Sequence, residues 1–249
     1  MFSEPIKKSM NPEERSKSKN LLNNGIVRMN YIRDKKLYEY NTDIRLFGND
    51  FFKKYRKNCK MIIKGKEYEM EDLIKERKLK EYGINQKDRI FEVKLKGERI
   101  RDMSSMFFNC GCLIKVDFSS FNTENVTDMN NMFCCCYSLT QVNLSQFNTQ
   151  NVTDMKFMFF QCLDLVKLDL STFNTKNVID MSNMFGSCIR LYKLNLSSFN
   201  TQNVKKKSNM FFNCYNSLIR IKRSKFNKVK IKGELGEAEC KYRIAIIEI

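Results

Sequence analysis

Five of the ten cysteines recur at one interval: Cys110, Cys136, Cys162, Cys188 and Cys214 lie 26 residues apart. Thiols can bridge, bind a metal or act as nucleophiles, so spacing decides between these chemistries. Neither Cys134-Cys135-Cys136 nor Cys110-x-Cys112 has the spacing of a zinc knuckle, so no metal site and no cofactor is expected. Equivalent positions in adjacent repeats would lie about 5 Å apart. That is within disulfide range, and it equally suits small buried side chains in a row. In a chain this long, with its cysteines in one column, reduced and buried thiols with a structural role are the expected state. The Met pairs 103/106, 129/132, 155/158 and 181/184 could bind a soft metal, but beside Phe at helical spacing they read as core. Asp102, Asp128, Asp154 and Asp180 share the same interval. A calcium site needs several oxygens within one turn, and one acid per repeat does not supply them. Helix N-capping is the role expected of these four. The chain has no His, which removes His-dependent triads, general bases and metal ligands. It also lacks a Gly-rich phosphate loop. No catalytic residue is assigned, and a non-enzyme is expected.

The elements that must position these residues follow from the repeat. Asp102-Met103-Ser104-Ser105-Met106-Phe107 returns at 128, 154 and 180, with a decayed copy at 206. In the first half of each copy, Met103, Met106, Phe107 and Cys110 sit at i, i+3, i+4 and i+7. That spacing predicts one apolar face of a short helix. The second half, such as Leu139-x-x-Val142-x-Leu144, alternates with period two and predicts a short strand. One strand plus one short helix per 26 residues cannot bury its apolar face alone, so neighbours must stack. The expected fold is α/β: a leucine-rich-repeat-like solenoid with a small α+β N-terminal cap. The divisions are a disordered basic tail at 1–20, an α+β leader at 21–100, a solenoid of four full repeats and one degenerate repeat at 101–218, and C-terminal capping strands at 219–249. Within the leader, Asp50 introduces a helix carrying Phe51, Phe52 and Tyr55, and Glu71 to Tyr82 predicts a second helix ended by Gly83.

In such a stack the outward strand positions form columns on a concave face. Lys115, Asp117, Gln141, Asn143, Lys167, Asp169, Lys193 and Asn195 are the candidate partner-binding residues. The repeat motif Phe-Asn-Thr-x-Asn-Val-x-Asp-Met-x-x-Met-Phe-x-x-Cys-x-x-Leu-x-x-Leu-x-Leu-Ser resembles the BspA-like leucine-rich-repeat surface proteins of bacteria and protists, whose pattern also occurs in some mycoplasma lipoproteins. The resemblance covers roughly residues 100–218. It implies a curved solenoid used for protein recognition, often in adhesion at a cell surface.

The net charge of +17 is unevenly placed. Residues 1–100 hold 26 basic and 16 acidic side chains, residues 101–204 hold 7 and 8, and residues 205–249 hold 12 and 4. The repeats are therefore nearly neutral. Arg220, Lys222, Arg223, Lys225, Lys228, Lys230 and Lys232 form a basic patch that suits nucleic acid or an anionic membrane, although Phe226 alone offers base stacking there. The leading expectation is a monomeric, non-enzymatic protein-interaction module, with binding through the basic ends as the alternative. No signal-peptide pattern and no apolar run of spanning length is visible. An intracellular location is expected, with a cell-surface one implied only by the resemblance.

Overall fold

The computed structural model describes residues 23–33, 43–214, 218–221 and 245–248. Strands dominate. β1 (Asn23–Ile32), β2 (Ile44–Arg45), helix α1 (Asn49–Tyr55), β3 (Cys59–Ile63), β4 (Lys66–Glu69), β5 (Leu73–Ile74) and β6 (Ile90–Glu98) precede the repeats. β7 (Leu113–Phe121), β8 (Gln141–Asn143), β9 (Lys167–Asp169) and β10 (Lys193–Leu196) come one per repeat, followed by β11 (Leu218–Ile221) and β12 (Ala245–Glu248).

Period-two alternation makes the first sheet. Val27, Met29 and Tyr31 on β1, Met61 and Ile63 on β3, and Phe91, Val93 and Leu95 on β6 are all buried, while their neighbours face outward. The sheet order is β4-β3-β6-β1-β7-β8. β1 pairs antiparallel with both β6 and β7, and β7 pairs parallel with β8. A second sheet, β12-β11-β10-β9, is parallel throughout.

This architecture corrects the expected fold class. The chain is not an α/β leucine-rich-repeat-like solenoid with one strand and one helix per coil. It is mostly β, built on a mixed six-stranded sheet, and α1 is the one α-helix among the described residues. Nor is the N-terminal region a separate cap, because its strands share the six-stranded sheet with β7 and β8. The second leader helix is absent as well: Glu71–Tyr82 contains β5 and one turn of 3₁₀ helix at Glu76–Lys78.

The reason no helix forms in the repeats lies in the backbone. Each repeat has two residues of positive φ, four apart: Ser105 and Asn109, Asn131 and Cys135, Phe157 and Gln161, Asn183 and Ser187, Asn209 and Asn213. A left-handed residue ends an α-helix. The N–H groups then take two directions in turn. Those of Met106, Phe108 and Cys110 donate back three residues, while those of Met103, Ser105, Phe107 and Asn109 donate to the next repeat. Two linked turns therefore place Met103, Met106, Phe107 and Cys110 inward, as a helix face would. They also hydrogen-bond sideways, which a helix backbone cannot do.

Side chains stack on the same 26-residue interval. Phe107, Phe133, Phe159, Phe185 and Phe211 lie with ring centroids 5.2–5.9 Å apart and nearly parallel planes. Phe147, Phe173 and Phe199 make a second stack. The leader adds a layer to the first stack, since Phe47 lies over Phe107 at 6.0 Å. This joint needs Gly48: its N–H donates to the Met106 carbonyl at 3.0 Å, and a Cβ there would come within 2.0 Å of the Ser105 carbonyl oxygen. The Tyr55 hydroxyl accepts from the Arg101 and Asp102 N–H groups, and Lys54 pairs with Asp102.

Candidate interaction face and the repeat columns

The strand residues proposed from sequence fall into two groups with different duties. Asp117, Asn143, Asp169 and Asn195 accept the N–H of the serine two residues on, at 2.9, 3.2, 2.9 and 3.2 Å. Asn143, Asp169 and Asn195 close the turn after their strands, and Asp117 makes the same bond within β7. Asn143 also donates to Asp117 at 3.0 Å. Hydrogen bonds from Ser119 and Asn143, together with the nearby Arg28, hold the Asp117 carboxyl below its ordinary range against the opposing effect of burial. Lys115, Gln141, Lys167 and Lys193 are exposed, and among the described residues their side chains make no ion pair or hydrogen bond. Among the described residues this second column is exposed and unengaged.

Between these residues the sheet is interrupted. β8 pairs with β7 and β9 pairs with β10, but β8 and β9 are not joined. An open groove of about 490 Å³ lies across this gap, lined by Lys115, Gln141, Val142, Val166 and Lys167 among others. Beyond its edge, Tyr192 is 48 % exposed, and its N–H donates to the Val166 carbonyl. Phe108, Tyr137, Ile189 and Phe212 are exposed to a similar degree. The sequence reading missed these groups, because it followed the strand columns, where aromatics are few. The available signal was that Phe108, Tyr137, Tyr192 and Phe212 fall outside every inward position of the repeat.

The cysteine column is buried and its thiols are free. Cys136, Cys162, Cys188 and Cys214 donate to the carbonyls of Phe107, Phe133, Phe159 and Phe185 at 2.8–3.2 Å. Each thiol therefore joins its repeat to the preceding one. Burial pushes the thiols of Cys110, Cys136, Cys162 and Cys188 well up, and that of Cys214 to about 12. Inert packing thiols behave in this way.

These aspartates do not cap helices, because among the described residues the repeats form turns at these positions. Asp102, Asp128, Asp154 and Asp180 instead bridge one another in parallel register, and each accepts the N–H two residues on at 2.8 Å. The ends of this acidic row meet cations: Lys54 lies on Asp102, and Lys206 is 4.0 Å from Asp180. Burial opposes ionisation of Asp102, yet hydrogen bonds from Lys54 and Ser104 hold it below the usual aspartate value. Asp154, in the middle, is raised by burial and by the charges of Asp128 and Asp180. Among the described residues no three Cys, Asp or Glu side chains converge to hold a metal ion.

The family described as "Mycoplasma protein of unknown function, DUF285" matches residues 101–226. The chain belongs to this family. The matched segment opens at the first repeat and leaves out the leader, so the DUF285 region holds both the turn rows and the exposed strand face. No curated protein and no solved structure matches the chain. Of the basic patch, Arg220 lies on β11, while Lys222, Arg223, Lys225, Lys228, Lys230 and Lys232 lie outside the described residues. Among the described residues no helix is long and apolar enough to cross a membrane.

Proposed function

We propose that this DUF285 protein is a non-enzymatic protein-interaction module whose partner docks on the exposed strand face. The observation that carries this reading is the groove at the β8–β9 gap, lined by Lys115 and Lys167, with exposed Tyr192 tied by its N–H to the Val166 carbonyl of the lining. An open cleft lined by Val142 and Val166 with Lys115 and Lys167 beside them offers a partner both apolar and cationic contacts. The acids of this face are engaged by nearby backbone N–H groups, so the free groups are mostly cationic, and the partner surface should be acidic with an apolar centre. Adhesion at a cell surface, implied by the BspA-like resemblance, is one form such recognition could take. The non-catalytic part of the proposal is supported by the duties of the acids, since each repeat's aspartate is engaged by its own backbone.

The test is affinity capture from source cells with the wild-type chain, a Lys167→Glu/Lys193→Glu variant and a Tyr192→Ala variant. Loss of the same partner in both variants supports the face. An unchanged partner set in both refutes it, and RNA or anionic lipid binding retained in both variants would move the function to the basic ends.

A further inference from the structure

In one repeat the turn carries two adjacent thiols. The position held by Phe108, Phe160, Gly186 and Phe212 in the other copies is Cys134, and the position held by Asn109, Gln161, Ser187 and Asn213 is Cys135. Cys135 takes the left-handed conformation with φ 61° and is half-buried, while Cys134 is 5 % exposed beside it. Their sulfurs lie 3.6 Å apart, and the Cys135 sulfur is 3.2 Å from the Gln161 amide oxygen. Cys136, next in sequence, points into the core and donates to the Phe107 carbonyl, so the group consists of one half-buried and one buried thiol and not three.

Two chemistries can join such a pair. A disulfide requires the sulfurs to close from 3.6 Å to about 2.05 Å across neighbouring residues. Their Cα atoms are fixed about 3.8 Å apart, below the usual range of about 4.4–6.8 Å. A bridging centre requires no such closure. With bonds of about 2.3 Å, as in metal thiolates, sulfurs 3.6 Å apart subtend about 103°. That suits a pyramidal or tetrahedral centre. A linear two-coordinate ion would need the sulfurs about 4.6 Å apart, and a closed four-ligand site would need donors that are missing here.

We propose that Cys134 and Cys135 form a dithiol site for a thiophilic, three-coordinate centre of the monosubstituted trivalent arsenical class. Reaction with R–As=O forms two As–S bonds and breaks the As–O double bond. The two thiol protons leave with that oxygen as water, and arsenic stays trivalent. Cys135 reacts first because it is the more exposed of the two. Its sulfur is also the more nucleophilic: donation from Cys134, opposed by burial and aided by the Tyr137 hydroxyl, holds its thiol down at about 6. Cys134 then closes the ring within the molecule, where its effective concentration is high.

The probe is phenylarsine oxide, added to the full reduced chain and followed by native mass spectrometry. One adduct per chain should form, persist in excess monothiol and be released by a dithiol. Cys134→Ser and Cys135→Ser should each shorten the adduct's lifetime in monothiol by about 100-fold or more, the gain expected of an intramolecular second contact. Serine is compatible with the turn, since Ser187 holds the position equivalent to Cys135 with φ 59°. Circular dichroism of each variant checks that the fold is kept. Absence of the adduct in the folded wild type overturns the assignment, as does an adduct equally persistent in both variants.

Discussion

The two long sides of the repeat array are built differently. On the turn side, a parallel row runs without interruption from Asp102 through Asp128, Asp154 and Asp180 to Lys206. The Phe stack and the thiol-to-carbonyl bonds lie with it. On the strand side the ladder stops between β8 and β9. The turn side therefore holds neighbouring repeats together, and in the four full repeats its inward positions keep to Met, Phe and Cys. The strand side carries less of that load, so its outward residues vary. The proposed recognition role falls on the side whose outward side chains are not needed for stacking.

Substitutions on the two sides should separate cleanly. Phe133→Ala, in the middle of the buried stack, should cost about 3–5 kcal/mol in chemical denaturation. Tyr192→Ala on the strand side should stay within about 0.5 kcal/mol. Equal losses would remove the distinction. Gly48→Val should destabilise by about 1–3 kcal/mol through overpacking at the leader joint, with hydrogen exchange rising first at the backbone of α1 and the first repeat.

The thiol row gives a smaller effect. Cys162→Ala removes a buried donor to the Phe133 carbonyl and should cost about 1–2 kcal/mol. Cys162→Ser keeps a donor and should recover part of that loss. If alanine and serine behave alike, the thiol acts by volume alone.

The smallest effect is electrostatic and depends on pH. The folded-state value of Asp154 is raised, so the folded chain binds that proton more tightly than the unfolded one. The resulting stabilisation is present below the usual value of 3.8 and is lost as pH rises through the folded value. Asp154→Asn should therefore be stabilising at neutral pH, and the gain should vanish in acid. Asp102 behaves in the opposite sense. Its folded value is lowered, so its contribution is present above 3.8 and is lost as pH falls through the folded value. Lys54→Met should weaken that contribution, leaving the part due to Ser104. Thermal melts from acid to neutral pH would measure both, and parallel curves for wild type and Asp154→Asn would contradict the raised value.

Much of the interior was legible from residue type and spacing. Met103, Met106, Phe107 and Cys110, with their equivalents, are buried where the i, i+3, i+4, i+7 pattern puts them inside. The conformation was not legible. Two linked turns satisfy the same spacing as two helical turns, and the residues that adopt positive φ include Ser105, Phe157 and Cys135, with no glycine to mark them. For the interaction face, the outward strand positions could be listed from alternation. Their division into backbone-bonded Asp117 and Asn143 and free Lys167 and Lys193 needed the hydrogen bonds.

The sequence by itself determined the 26-residue interval, the inward residues of each copy and the near neutrality of the repeats. These depend on hydrophobicity and charge, which every residue carries wherever it lies. Tertiary structure alone decided that the backbone bonds sideways to the next repeat instead of along a helix. It also decided that the leader's strands enter the repeat sheet, that the ladder breaks at β8–β9, and that two neighbouring thiols meet. Each of these turns on where an N–H, a carbonyl or a sulfur finds its partner, and those partners mostly lie a whole repeat or more away along the chain, beyond the reach of local pattern.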